Sequence, residues 1–402
     1  MVTTPAASGF SMPPETARHE RMLMAWPCRS ELWEGAIDRA KDAYAGVANA
    51  IAAFEPVTMV VTDHGDAVDA RGRLSAMVEI LEVPIDDSWV RDSGPIFTLH
   101  PDGRRAGSHF RFNAWGEKFV GWDRDEAAGG VLADRYADEV FDLPIVLEGG
   151  SILVDGNGRL VTTEQCLLAP NRNPHLDREE IEDALRSGLG ISEVVWLGRG
   201  LIADRDTDGH VDCIATFNDS GQLLLQSRPP GDPDHEAMAE NKERALSAGL
   251  EVIDFAPLTM GEVDGAPALN AYLNVALCNG GVIVPLAGDG AAAADEEALA
   301  TIAAAFPGRE VVGVPGLVIG FGGGGPHCIT QQVPSRLVSP RSCSPQDRAP
   351  PSPGSAKATP RCSAWAPCSI VGIPTQRSIA RRSPRASGWR PTRVRASCAS
   401  RS

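Results

Sequence analysis

One pattern recurs five times in the first 334 residues and governs what the chain can fold into. An apolar strand is followed by a polar residue beside glycine, a second strand and a hairpin turn. It reads PIDDSWVRDSGPIFTLHPDG, PIVLEGGSILVDGNG, WLGRGLIADRDTDGHVDCIATFNDSG, AYLNVALCNGGVIVPLAGDG and VPGLVIGFGGGGPHCITQQ. The pairs Asp102-Gly103 and Asp155-Gly156 and the segment 218–221 supply the turns. Self-similarity at roughly 50–60-residue spacing is the mark of modules set around an axis or along a solenoid. In either case, polar residues at the same place in each module converge, which predicts one shared site.

Between these strands the apolar period changes to that of a helix. Ile37, Ala40, Tyr44, Val47, Ile51 and Phe54 fall at steps of three and four, one face of a helix between Gly35 and Pro56. Similar patterns predict helices near 176–189, 235–246 and 289–306, the last stopped by Pro307-Gly308. Strands are expected at Val57–Val61, 144–147, Glu193–Leu197 and 310–314, so the fold class is α/β.

Composition sets the boundaries. The 402 residues are 43% hydrophobic, 22% charged and 5% aromatic, an ordinary globular range. The formal charge of −16 conceals a split: 335–402 carries 13 Lys and Arg against the single acid Asp347, and 1–334 carries 24 basic against 52 acidic side chains. A body this acidic repels phosphate backbones and attracts cations, so its partner is expected to be a small positive molecule rather than nucleic acid. The nine cysteines form no C-x-x-C pair and no basic-then-apolar leader precedes them, which argues for a cytoplasmic chain without structural zinc. No apolar run reaches the ~18 residues of a membrane span.

Three regions follow: a loose polar leader over 1–12 expected to be disordered, a single catalytic domain over 13–334, and a basic tail over 335–402. The tail is Arg/Ser/Pro/Ala-rich, without apolar period, and no fold is expected there. Its composition matches a GC-rich gene read out of frame; a natural disordered extension with affinity for anions is the other reading.

Polar residues at the recurring strand ends are Asp92, Glu148, His210, Asp212 and Cys328. A thiol, an imidazole and several carboxylates suit attack on a carbon made electrophilic by positive charge. Rival motifs fail on their own terms. Asp204, Asp206, Asp208 and Gly209 begin a calcium loop, but its twelfth position is Ala215 where a bidentate Glu is required. Gly320, Gly322 and Gly325 spell G-x-G-x-x-G, yet Pro326 and too little remaining chain exclude a β-α-β unit. This glycine run instead suggests backbone passing close to a ligand while delivering Cys328. His210 and Asp212 lack the companion ligands of a metal cluster.

In order along the chain, WVRDSGP, FRFNAWGEK, EGGS, TDGHVD and GGGGPHCITQQVP closely resemble the agmatine deiminases, within the wider group of peptidylarginine-deiminase-like guanidine-modifying enzymes. The resemblance covers about 12–334. It implies a pseudo-five-fold α/β propeller of ββαβ-type repeats, a central thiol nucleophile, no metal or organic cofactor, and conversion of agmatine and water to N-carbamoylputrescine and ammonia on the way to putrescine. Family precedent also favours a homo-oligomer.

Residue by residue, it places the nucleophile on Cys328, the general acid/base on His210, the carboxylate beside the imidazole on Glu148, and the guanidinium-binding carboxylates on Asp92 and Asp212. Trp89 matches a substrate-packing aromatic. Asp206 is the carboxylate facing the distal amine, with a turn-capping acid as the equal alternative. The chain departs from the family at Gly325-Pro326, where an Asn-Ile or similar pair is usual, which puts the placement of the thiol in question. Deimination of arginine or peptidyl-arginine, or a catalytically dead guanidine-binding protein, are the rival functions.

Overall fold

The computed structural model describes residues 3–336 and a short strand at Thr392–Val394. Contacts divide the chain into two units, the second of which, Ser339–Arg390, lies outside the described residues.

The fivefold repeat is realised as five small sheets of one design. In each, two short strands pair antiparallel, a helix crosses over, and a third strand pairs parallel to the second. Ile96–Leu99, Arg105–Arg111 and Glu139–Val146 form one sheet, with helix Asp123–Tyr136 as crossover. Ile152–Val154, Arg159–Thr163 and Glu193–Leu197 form the next, crossed by Arg178–Leu189. Ala215–Phe217, Leu223–Gln226 and Val252–Phe255 follow with His235–Ser247, then Ala276–Cys278, Gly281–Leu286 and Glu310–Pro315 with Ala292–Ala305.

The remaining sheet joins the two ends of this region. His19–Ala25 takes as its antiparallel partner Thr330–Pro334, more than 300 residues later, and as its parallel partner Val57–Val61, which in turn pairs with Val78–Glu82. All five residues of Thr330–Pro334 are buried. A separate hairpin, Thr259–Val263 with Ala266–Asn270, stands outside the scheme. Thr392–Val394 adds antiparallel to the edge of Glu310–Pro315.

Local chemistry explains the elements. Helix Arg178–Leu189 begins with a capping box: the Asp177 side chain accepts from Glu180 N at 3.0 Å, and Glu180 Oε2 accepts from Asp177 N at 2.9 Å. It ends at Gly190 in the left-handed region. Helix Ile37–Ile51 buries Ala40, Tyr44, Val47 and Ile51 along the expected face. Asn279-Gly280 makes a two-residue hairpin between Cys278 and Gly281. The buried apolar residues fall into five clusters, so each unit has its own share of core.

The leader differs from expectation. Ala6–Ser8 form a 3-10 turn, Phe10 is buried against the rings of His100 and Phe141, and Ser11 exchanges backbone hydrogen bonds with Leu99 at 3.0 and 2.8 Å. A single aromatic in a polar stretch has no period to betray it, yet its burial offsets the entropy of ordering its neighbours. The expectation for 335–402 falls outside the described residues except at Ser335, Arg336 and Thr392–Val394. No helix among the described residues is long and apolar enough to cross a membrane.

Candidate active site

The loop entering the first strand of each unit carries polar residues to one buried place. Asp92 lies in the turn Val90–Ser93 before Ile96, Glu148 precedes the turn Gly149–Ser151 before Ile152, and His210 and Asp212 precede Ala215. Asn274 stands two residues before Ala276, and Cys328 two before Thr330. Glu148, His210, Asp212, Asn274, Cys328 and Asp92 are all at most 4% exposed.

Around the thiol, Cys328 Sγ lies 3.4 Å from Asp212 Oδ2 and receives a hydrogen bond from Asn274 Nδ2 at 3.1 Å. Asn274 Oδ1 accepts from the backbone N–H groups of His327 and Cys328 at 3.1 and 3.3 Å. His210 Nδ1 is 3.9 Å from Asp92 Oδ1 and 4.0 Å from Asp212 Oδ1. Asp212 Oδ1, Glu148 Oε2 and both ring nitrogens of His210 find no hydrogen-bond partner among the described residues.

Close approach explains two motif glycines. A Cβ at Gly150 would come within 2.8 Å of His210, Asp212 and Asp92 together, so the EGGS segment passes between all three. A Cβ at Gly324 would meet the Trp89 ring at 2.6 Å and Cys328 Cβ at 2.9 Å, which accounts for the glycine run beside the thiol. Trp89 stacks on Trp33 and forms a wall of a cavity that Asp92, Asp87, Asp206, Trp115 and Cys328 also line.

Several supports were not singled out from sequence. Trp115 Nε1 donates to Asp92 Oδ2 at 2.9 Å, and Gly150 N to Asp92 Oδ1 at 2.8 Å. Ala114, Trp115 and Glu117 hold this turn in left-handed backbone, a cost of about 1–3 kcal/mol each that recurs where a side chain must be aimed at a site. Arg172, fully buried, donates to Glu148 Oε1 at 2.6 Å, Asp208 Oδ2 at 2.7 Å and Thr207 O at 3.0 Å, tying the imidazole's neighbour to the acidic loop. Removing one member of such a buried pair costs about 3–5 kcal/mol. His327 bridges Asp212 and Glu15, and Arg91 braces Glu15 at 2.9 Å.

Electrostatics follow from this packing. The hydrogen bond from the Cys213 thiol lowers the Cys328 pKa, but burial and the charges of Asp212 and Asp92 outweigh it and push it up to about 11. Burial raises Asp92, with Asp212 and Glu148 adding to the effect. Burial would raise Asp212 also; the hydrogen bond and charge of His327 overcome it and hold the carboxyl below its ordinary value.

The structure thus brings Cys328, His210, Glu148, Asp92 and Asp212 together and sets Trp89 and Asp206 in the adjoining cavity. Asp204 accepts from His210 N and the Thr207 hydroxyl, which gives the calcium-like sequence a capping role. Donor atoms of Glu148, Cys166 and His210 lie within 4.8 Å of one another, and the Arg172 cation already occupies one oxygen of that Glu148. Asn274 had a legible signal, since it holds in its own unit the place that Cys328 holds in another.

The chain belongs to the Porphyromonas-type peptidyl-arginine deiminase family, whose model matches residues 11–334. It is 40% identical over 370 residues to the agmatine deiminase of Ectopseudomonas mendocina, covering 83% of this chain and 98% of that one. It is 39% identical to the agmatine deiminase of Stutzerimonas stutzeri, covering 84% and 99%. Among solved structures, the agmatine deiminase of Enterococcus faecalis superimposes with a TM-score of 0.77 at 33% identity, covering 83% of this chain and 98% of that one.

Proposed function

We propose that this chain is an agmatine deiminase, a hydrolase that converts agmatine and water to N-carbamoylputrescine and ammonia. The observation that carries the reading is the convergence of the Cys328 thiol, the His210 imidazole and the carboxylates of Asp92 and Asp212 at one buried place. The five units are read as blades of a pseudo-five-fold propeller with this site on its axis, a reading supported by the five strand-entry loops that meet there.

A guanidinium is planar with its N–H groups in a fixed fork, and carboxylates on two sides grip it and hold its carbon in place. Asp92 and Asp212 are assigned to that grip. The Cys328 thiolate attacks the central carbon, forming the C–S bond. Protonated His210 gives its proton to one amino nitrogen, the C–N bond breaks, and ammonia leaves a covalent thiouronium. Neutral His210 then takes a proton from water as its oxygen attacks the same carbon; collapse expels the thiolate and releases the ureido product. Glu148 is assigned as the carboxylate beside the imidazole.

The thiol pKa near 11 is a property of the empty site, where two acids face the sulfur. A substrate cation between them offsets that charge, so binding itself promotes the thiolate. Asp206 also lines the cavity, and an acid there suits the ammonium of agmatine better than the α-carboxylate of arginine. The five described cysteines are all free thiols, in keeping with a cytoplasmic enzyme. A homo-oligomer is adopted on family precedent, to be checked by sedimentation.

Ammonia release from a panel of agmatine, arginine and an arginyl peptide tests the reading, with Cys328→Ala as the blank. Turnover of agmatine alone is expected. Turnover that survives in Cys328→Ala, or a preference for the peptide, overturns it.

A further inference from the structure

A second thiol stands beside the nucleophile and has no part in the deimination chemistry. Cys213 closes the turn Val211–Cys213, one residue past Asp212, and is buried like Cys328. The Asn274 amide nitrogen reaches both sulfurs, at 3.1 Å from Cys328 and 3.8 Å from Cys213, so one side-chain amide lies against the pair. Two cavities flank this pair. Cys328 lines the one that also holds Trp89 and Asp92; Cys213 lines a neighbouring one, and Asp206 and Gly323 border both. Each sulfur thus has its own approach for a small molecule.

We propose that Cys213 and Cys328 form a reversible disulfide when the protein meets hydrogen peroxide, making Cys213 a modification site built against the nucleophile. The geometry assigns the order. Cys328 takes the shorter contact from Asn274 Nδ2, at 3.1 Å, and lines the cavity that holds Trp89 and Asp92, so Cys328 is oxidised first: its sulfur attacks peroxide, the S–O bond forms as O–O breaks, and the hydroxide released takes a proton to become water. Cys213 then attacks the sulfenic sulfur; the S–S bond forms, S–O breaks, and the leaving hydroxide takes the Cys213 proton as a second water. The two sulfurs lose two electrons in all and peroxide gains them. A dithiol reductant reverses the step. The disulfide removes the nucleophile while sparing it from irreversible sulfinic acid.

The effect on turnover rests on the proposed role of Cys328 as nucleophile; the disulfide itself does not, so the two are read separately. The full chain is treated with hydrogen peroxide, its remaining thiols are alkylated, and it is digested without reduction for mass spectrometry. A peptide joining Cys213 to Cys328, with ammonia release lost and regained on adding dithiothreitol, is the expected result. Finding Cys328 as sulfinic acid, as unmodified thiol, or joined to another cysteine overturns the proposal. Cys213→Ser is expected to lose activity to peroxide without regaining it under dithiothreitol, and equal recovery in that variant overturns the proposal as well. Should the variant fail to fold, the wild-type peptide map decides alone. Absence of agmatine turnover before oxidation would instead count against the enzyme reading and leave the disulfide measurement standing.

Discussion

His327 Nδ1 lies 2.7 Å from Asp212 Oδ2, the same oxygen that faces the Cys328 thiol at 3.4 Å, so the residue before Cys328 holds the carboxylate opposite its sulfur. The other face of the imidazole meets both oxygens of Glu15 at 2.9 and 3.0 Å, and Arg91 completes the group. An N-terminal glutamate is thereby coupled to the catalytic centre through one buried ring.

That ring gives a pH signature. Burial and Arg91 would lower the His327 pKa, but Glu15 and Asp212 overcome them and raise it above its ordinary 6.5. Its stabilising contribution is fully present below about 6.5 and is lost as pH rises through the raised folded value. Glu15 acts in the opposite range: burial opposes it, yet His327 and Arg91 bring it from 4.5 down to about 2, so its contribution is present above 4.5 and lost as pH falls toward 2. Calorimetric Tm across pH should show both slopes in the wild type, and His327→Gln should flatten the alkaline one. An unchanged alkaline slope in that variant would refute the assignment.

Alkylation of Cys328 should be slow at neutral pH and have its midpoint near about 11 in the ligand-free protein. A non-reacting guanidinium analogue should move the midpoint down, because a cation between Asp92 and Asp212 cancels the charge that disfavours the thiolate. Iodoacetamide rates against pH, with and without the analogue, measure this; coincident curves contradict substrate-promoted ionisation.

Asn274→Ala removes a donor to the sulfur and the acceptor of two backbone N–H groups. Turnover is expected to fall by about 10–100-fold, in line with roughly 1–3 kcal/mol for unsatisfied buried groups. The alkylation midpoint should move further up, since one hydrogen bond to the thiolate is gone. A simple loss of folded protein would lower the active fraction without moving that midpoint.

Asp206→Asn tests the distal end. If this carboxylate faces the substrate ammonium, KM for agmatine should rise about tenfold while kcat changes little, the pattern of lost uniform binding. A turn-capping role alone predicts reduced thermal stability with KM unchanged.

Much of this architecture could be read from residues. The strands Val57–Val61 and Glu193–Leu197 match their expected limits because each is a short apolar run with no competing period. Glu139–Val146 begins five residues before its expected start, because Glu139 falls on the more covered side and Val140 on the exposed one, against the usual alternation. Cys328, His210 and Asp92 stood out because their types are chemically loaded and recur at equivalent places. Trp115, Arg172 and Glu15 did not, because their work is to hold other side chains at sequence separations of 23, 24 and 312. Long-range pairing of that kind leaves no local pattern in one sequence.

The pairing of His19 with Pro334 sets residues more than 300 positions apart side by side in one sheet. Where the backbone is interrupted is then a matter of genetics rather than mechanics. A linker from Pro334 back to the residues before Phe10, with fresh ends opened at the exposed hairpin around Asp219, would keep Glu15 in the chain and leave each strand of 19–334 its partner within that span, and the sulfur would arrive mid-gene.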